Sequence, residues 1–275
     1  MAQLLVPFDF SKNAKTALDQ ALLIASKSGK SIEVLHITNK AVCREYPTSW
    51  NCTEKSIEPL QQKVEAVINE RKEALQLQGD TAFSATVKES ALITGGIIGH
   101  MMHSGAQLVV MGTHGSTGLY DTVFGSNTAV MVNHALFPVL TVPPKWKPVP
   151  IEHCIASLKL SKLETSAKNI SAWAAYFGST VEAVQFSIIP EGEGALARQN
   201  SIGGIPCRII KNDIETTLAE DLLRFTASLE NTILLLFTRE KTFLEKLFTP
   251  NLAYKLSGAI TIPLLSIPIK EHTKH

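Results

Sequence analysis

Residues 111–128 read MGTHGSTGLYDTVFGSNT and directly follow an apolar run, Leu108–Val110. The spacing G-x2-G-x9-G-S is formed by Gly112, Gly115, Gly125 and Ser126. Glycine lets the backbone approach an anion closely, and a helix N-terminus offers unpaired N–H groups and a favourable dipole. A buried strand, a polar glycine loop and a Gly-Ser helix start therefore predict a phosphate-binding site inside an α/β fold.

The first half of the chain alternates strand and helix patterns around this loop. Strands are predicted at 4–7, 31–38, 82–87, 107–111 and 138–142. Helices are predicted at 11–28, capped by Ser11 and stopped by Gly29, and at 54–77, 92–103 and 126–134. This order is typical of a doubly wound parallel sheet with helices on both faces.

The second half repeats the first in outline. TVEAVQF at 180–186 matches SIEVLHI at 31–37, and AITIPLLSIP at 259–268 matches HALFPVLTVP at 134–143. The proline-rich segment 144–150 separates the repeats, because four prolines in residues 143–150 favour a stiff, extended linker. We predict two tandem, five-stranded, Rossmann-like α/β domains at 1–143 and 151–275.

Composition limits the classes of function. The formal net charge of +1 does not suggest a nucleic-acid surface, and no apolar run approaches the roughly 20 residues that cross a bilayer. The N-terminus reads as a strand rather than a signal peptide, so we expect a cytoplasmic protein with four free thiols. A Cys43–Cys52 disulfide is the alternative. The cysteines form no C-x-x-C pair, and no metal site is predicted.

Three segments are expected at the carboxyl ends of the predicted strands, where open α/β sheets bind ligands. Asp9 follows the first strand, residues 37–39 end the second, and the glycine loop follows the fourth. Together they could hold one nucleotide, with the base or ribose near Asp9 and the phosphates in the loop.

These motifs resemble the universal stress protein family. V-P-x-D-F-S near the N-terminus, G-x2-G-x9-G-S after a strand and a P-V-L-T-V-P terminal strand carry the resemblance over residues 3–143. It implies an adenine nucleotide alpha hydrolase-like fold and a site for ATP or a related adenine nucleotide with Mg²⁺. The implied nucleotide-binding residues are Pro7, Phe8, Asp9, Ile37, Met111, Gly112, His114, Gly115, Gly125, Ser126, Asn127 and Thr128. Phe8 replaces the smaller residue often found there.

Each candidate also has a structural interpretation. Asp9 could be only a turn or capping residue, Ser126 only a helix N-cap, and His114 only a solvated loop residue. His100 and His103 lie one helical turn apart, as metal ligands can, but a surface or core-edge helix explains them more simply.

The second half lacks the glycine loop. Phe237 stands where Gly112 would, residues 238–250 contain no glycine, and residues 156–158 supply no carboxylate like Asp9. We therefore expect one nucleotide site per chain. The second half's Gly192, Gly194, Gly203 and Gly204 are not arranged after a strand as a phosphate loop, and we expect them in a mobile connection. The resemblance also implies that the strands at 138–142 and 263–267 pair as antiparallel edges, giving an internal pseudo-dimer that could form a further homodimer.

Three functions are compatible with this pattern. The first is a nucleotide-binding regulatory module that acts in stress response through conformation or an unknown protein partner. The second is a slow ATPase or autophosphorylating enzyme. The chain has no G-x-x-x-x-G-K-[ST] motif and no lysine in the loop, so efficient phosphoryl transfer is not expected. The third is an interaction protein that binds no nucleotide.

Overall fold

In a computed structural model, the chain forms two compact units, and the boundary between them lies in the linker between Pro148 and Val149. The structure describes residues 4–38, 54–77, 81–113, 125–134, 137–187, 200–211, 218–237 and 261–268. Both units are α/β, and their sheets are mostly parallel, so the predicted fold class is confirmed.

The first unit is a five-stranded parallel sheet with strand order β3-β2-β1-β4-β5. Its strands are β1 (Leu4–Pro7), β2 (Ile32–Thr38), β3 (Phe83–Glu89), β4 (Leu108–Gly112) and β5 (Val139–Val142). Its helices are α1 (Lys12–Ser28), α2 (Glu54–Ala74), α3 (Ile93–Ser104) and α4 (Ser126–His134). All five residues of β4 are buried, as expected for a central parallel strand covered on both faces.

Helix α1 begins and ends where its capping residues predict. The Ser11 hydroxyl accepts a hydrogen bond from Ala14 N at 3.0 Å, and Gly29 ends the helix in the left-handed conformation, with φ of 66°. Leu18 and Leu22 are fully buried, so the predicted apolar face is the one that packs on the sheet.

The linker is not extended along its whole length. Trp146 N donates to Pro143 O at 3.1 Å, which closes a turn, and the Trp146 indole N–H donates to the side chain of Gln20 at 2.7 Å. Gln20 is fully buried in α1, so this bond satisfies an amide oxygen inside the first unit.

The second unit has strand order β11-β10-β6-β7-β9-β8. Its strands are β6 (His153–Ser157), β7 (Thr180–Ser187), β8 (Ser201–Ile202), β9 (Ile205–Lys211), β10 (Thr232–Phe237) and β11 (Leu264–Ile267). Its helices are α5 (Leu163–Phe177) and α6 (Leu218–Thr226), with a short 3₁₀ turn at Leu160–Lys162. Without β8, this is the strand order of the first unit, so the two units repeat one topology.

The pair Gly203-Gly204 corrects a sequence-based expectation. These glycines were expected in a mobile connection, but they form the tight turn between the antiparallel strands β8 and β9. Their φ angles are +58° and +78°, and a type I′ hairpin turn requires positive φ at both central residues. Gly192 and Gly194, assigned to the same connection, lie outside the described residues.

Two further expectations concern membranes and thiols. Among the described residues, no helix is both long and apolar enough to span a membrane. Cys154 and Cys207 are buried thiols that form no disulfide, while Cys43 and Cys52 lie outside the described residues. Burial raises the pKa of Cys154 to about 11, so this thiol stays protonated at neutral pH.

Candidate functional site

The strand order of the first unit reverses between β1 and β4. The chain moves from β1 outward to β2 and β3, and then returns to place β4 on the other side of β1. Ligands of open α/β sheets bind beyond the carboxyl ends of the strands at such a point. Asp9 and the glycine loop follow the two strands that flank the reversal, so the topology brings these predicted elements to one edge.

Two hydrogen bonds close the base of the glycine loop. Gly125 N donates to Thr113 O at 2.6 Å, and the Thr128 hydroxyl donates to Gly112 O at 2.9 Å. They hold the first turn of α4 against the end of β4. Thr128 is buried by this contact, whereas Ser126 and Asn127 at the start of α4 are exposed. An exposed helix start beside a strand end suits an anion.

Other predicted loop residues have different positions. The Met111 side chain is buried, so only its backbone can face the edge of the sheet. His114 and Gly115 lie outside the described residues, and so does Asp121, which also belongs to the glycine loop.

Gly112 has a packing reason to be glycine. A Cβ atom at this position would lie 2.7 Å from Asn13 Nδ2 and 3.0 Å from Asn13 O. Real Cβ atoms do not approach other heavy atoms that closely. The first turn of α1 therefore rests directly on the backbone at the end of β4.

The β1–α1 connection forms the other side of the edge. Pro7 ends β1, and Phe8 is buried, so its ring points into the unit. Asp9 is exposed, and its Oδ1 accepts a hydrogen bond from Ser11 N at 3.0 Å. This bond is the turn role that the sequence left open for Asp9, and the carboxylate remains accessible to solvent.

Phe10 occupies an unusual backbone conformation. Its φ is +63°, in the left-handed region that costs a residue with a Cβ about 1–2 kcal/mol. The Phe10 ring packs edge-on against Phe8 and His36, with centroid distances of 5.1 and 5.0 Å. Lys63 of α2 places its ammonium 4.7 Å from the centre of the same ring. These contacts offset the backbone strain.

His36 joins β2 to the same connection. Its Nδ1 lies 2.7 Å from Phe8 O, and since a carbonyl can only accept, Nδ1 carries the proton. The sequence points to Phe10 only as part of the V-P-x-D-F-S motif, and it does not point to His36, Lys63 or Asn13. The local pattern held no signal for them, because each acts through a partner on another element.

Ile37 lies at the end of β2 as predicted and is partly buried. Its Cδ1 would be 3.0 Å from a Cβ atom at Gly96 of α3. Ser90 N, after β3, donates to Thr38 O at 2.9 Å. The end of β2 is thereby fixed between α3 and the end of β3.

Strand register shows which residue of the second unit replaces Gly112. Gly112 is opposite Val142 in the first unit, and Phe237 is opposite Ile267 in the second. Each is the last register pair between the two corresponding strands, β4 and β5 in the first unit and β10 and β11 in the second. Phe237 therefore occupies the position of Gly112.

The same comparison places a lysine at the position of Asp9. The residues directly before Asp9 and Lys159 each donate a backbone hydrogen bond to the neighbouring strand, at Leu35 O and Val184 O. The second unit thus carries the opposite charge where the first carries a carboxylate. Residues 238–250, which replace the glycine loop, lie outside the described residues.

The histidines of α3 have structural partners. His100 is buried, and its Nε2 lies 2.8 Å from Glu33 Oε1, which also accepts from the Thr86 hydroxyl at 2.7 Å. His103 Nδ1 lies 2.8 Å from Gly99 O. In the described ranges, no group of three His, Cys, Asp or Glu side chains could hold a metal ion.

The described part of this edge offers groups that can form hydrogen bonds to a ligand. It offers backbone N–H groups and hydroxyls at the start of α4, an exposed carboxylate at Asp9 and a glycine loop without lysine. Phosphoryl transfer needs a positioned nucleophile and cationic charge at the transferred group.

Comparison with known proteins gives a family match over residues 1–143, to the model of the universal stress protein family. A universal stress protein from Archaeoglobus fulgidus has a TM-score of 0.64 at 16% identity, covering 96% of this chain and 97% of the other. A protein from Pseudomonas aeruginosa described as a universal stress protein has a TM-score of 0.60 at 15% identity, covering 96% and 92%. Such low identities establish likeness of fold. No curated protein matches the chain.

Proposed function

Because the chain belongs to the universal stress protein family, we propose that it is a stress-response regulatory module that binds ATP or a related adenine nucleotide. The site is in the first unit, and Mg²⁺ accompanies the phosphates. The signal is passed on through a change of conformation or through a protein partner. Family membership supports the stress-response role, and the geometry of the first unit supports the nucleotide.

The closed base of the glycine loop carries the proposal. The Gly125–Thr113 and Thr128–Gly112 hydrogen bonds hold the exposed start of α4 at the carboxyl end of β4. Phosphates would bind to the N–H groups there, where the helix dipole favours negative charge. Asp9, at the neighbouring strand end, would accept hydrogen bonds from ribose or base.

One experiment tests the proposal directly. Purified protein is denatured, and its supernatant is analysed for released adenine nucleotide, while a thermal shift assay follows the melting temperature in millimolar Mg-ATP. A ligand that binds only the folded state raises the melting temperature. The absence of both released nucleotide and a thermal shift would reject the proposal. It would favour the third function, an interaction protein that binds no nucleotide.

A substitution in the loop provides the matched variant. We expect Gly115→Val to abolish nucleotide binding, because a branched side chain would occupy the path of the phosphates. Isothermal titration calorimetry with Mg-ATP measures the loss. Lys159→Ala in the second unit is the control and leaves the affinity unchanged. Normal affinity in Gly115→Val would contradict the assignment of the loop.

A further inference from the structure

Asn13 lies between the two sides of the proposed nucleotide site. It belongs to the first turn of α1 and is only 7% exposed. Its side chain covers the glycine at the end of β4, where a Gly112 Cβ would be 2.7 Å from its Nδ2 and 2.8 Å from its Cγ. An amide in this place touches the backbone from which the glycine loop starts.

The Asn13 amide also reaches the first residue after β4. Its Nδ2 donates to the Thr113 hydroxyl at 3.4 Å, across 100 residues of sequence. The Thr113 backbone is held on two other sides, because its N–H donates to Val142 O at 3.1 Å and its carbonyl accepts from Gly125 N at 2.6 Å. Thr113 is therefore where α1, β5 and the start of α4 meet.

The turn that carries Asn13 is continuous with the Asp9 side of the edge. Asp9 Oδ1 accepts from Ser11 N, and the Ser11 hydroxyl accepts from Ala14 N. These bonds fix the backbone on either side of Asn13. The segment from Asp9 to Ala14 therefore connects the Asp9 turn to the contact between Asn13 and Thr113.

We infer that Asn13 is a positioning residue for the phosphate side of the nucleotide site. It holds Thr113, and through the carbonyl of Thr113 it sets the position of Gly125 and the start of α4. The effect on ligand affinity rests on the proposed function. The effect of Asn13 on the base of the loop is independent of the proposed function, because it depends only on contacts within the protein.

Binding measurements separate positioning from general stability. Asn13→Leu keeps the approximate size of the side chain but has no group that can hydrogen-bond to the Thr113 hydroxyl, and Thr113→Val removes that hydroxyl. We expect each to weaken ATP about five- to tenfold, as for the loss of one hydrogen bond. Adenosine, which has no phosphate, should bind within about twofold of wild type. The double variant should lose no more than either single variant, because both remove the same bond.

The control is Lys12→Ala, an exposed residue in the same helical turn, which should leave both affinities unchanged. Equal loss of ATP and adenosine affinity in Asn13→Leu would overturn the inference, since it would indicate a merely structural role. Unchanged ATP affinity would overturn it as well.

A measurement without ligand decides the inference even if the protein binds no nucleotide. Hydrogen exchange of the Gly125 amide reports the bond to Thr113 O. Asn13→Leu should speed this exchange about five- to tenfold, while the amide of Leu22 in the core of α1 exchanges as in wild type. Equal acceleration at both amides, or none at Gly125, would reject Asn13 as the positioning residue. Absence of ATP binding in wild type would reject only the proposed function.

Discussion

At the scale of single residues, Gly112 allows a sharp test of packing. We expect Gly112→Ala to lower the free energy of unfolding by about 1–3 kcal/mol, the usual cost of overpacking a close contact. The new Cβ would meet both the Asn13 side chain and its backbone oxygen, so a change of rotamer cannot relieve it. Urea denaturation of the purified protein measures the loss.

Gly99 of α3 provides the matched control for that test. A Cβ at Gly99 would meet nothing within 4 Å. Gly99→Ala should therefore stabilise the helix by about 0.4–1 kcal/mol, because alanine loses less conformational entropy on folding. If both variants changed stability in the same direction, the contact between Gly112 and Asn13 would not be the cause.

Single residues also show the limits of sequence reasoning. Ser11 and Gly29 were predictable, because caps act within one helical turn. Asn13 was not, since its partner Thr113 lies 100 residues away. The positive φ of Phe10 was not predictable either, because the left-handed conformation favours Gly, Asn or Asp. Contacts of its ring, including the one with His36 on β2, hold a phenylalanine there.

At the scale of elements, the β8–β9 hairpin depends on one of its two glycines more than on the other. A Cβ at Gly203 would lie 2.8 Å from Ala167 Cβ on α5, whereas a Cβ at Gly204 would meet nothing. Asparagine tolerates positive φ, so Gly204→Asn should be nearly neutral. Gly203→Asn should cost about 1–3 kcal/mol of unfolding free energy, measured by urea denaturation.

Ala167→Gly tests the origin of that cost. It removes the methyl group that the new side chain would meet. Gly203→Asn should therefore lower the free energy of unfolding much less in the Ala167→Gly background than in the wild-type chain. Additive losses would mean that the hairpin does not rest on α5 at this point.

The same hairpin shows why some elements escaped prediction. Long helices and the buried strands β4 and β10 follow from periodicity and length alone. The β8–β9 hairpin is short, but two adjacent glycines between Ile202 and Ile205 are a known signal for a type I′ turn. This signal is present in the sequence, although the glycines were expected in a mobile connection because they do not follow a strand as a phosphate loop does.

At the scale of the whole molecule, the repeat preserves the strand order but changes the residues at the edge where we propose that the nucleotide binds. Glycine becomes Phe237, and aspartate becomes Lys159. The sequence predicted the first replacement from aligned fourth strands, and the strand register agrees with it. The second required the backbone hydrogen bonds after β6, since the sequence alone showed only that a carboxylate was missing.

This asymmetry predicts one nucleotide per chain. In the second unit, Phe237 would fill the space beside the phosphates. Lys159 would not supply the acceptor that Asp9 offers to ribose or base. Calorimetric titration of the full chain with Mg-ATP should give a stoichiometry of one, and Gly115→Val should reduce it to zero. Phe237→Ala should leave it at one. A stoichiometry of two for the wild-type chain would show that the second unit binds nucleotide by residues other than those of the first, whereas one site retained in Gly115→Val would contradict the assignment of the loop.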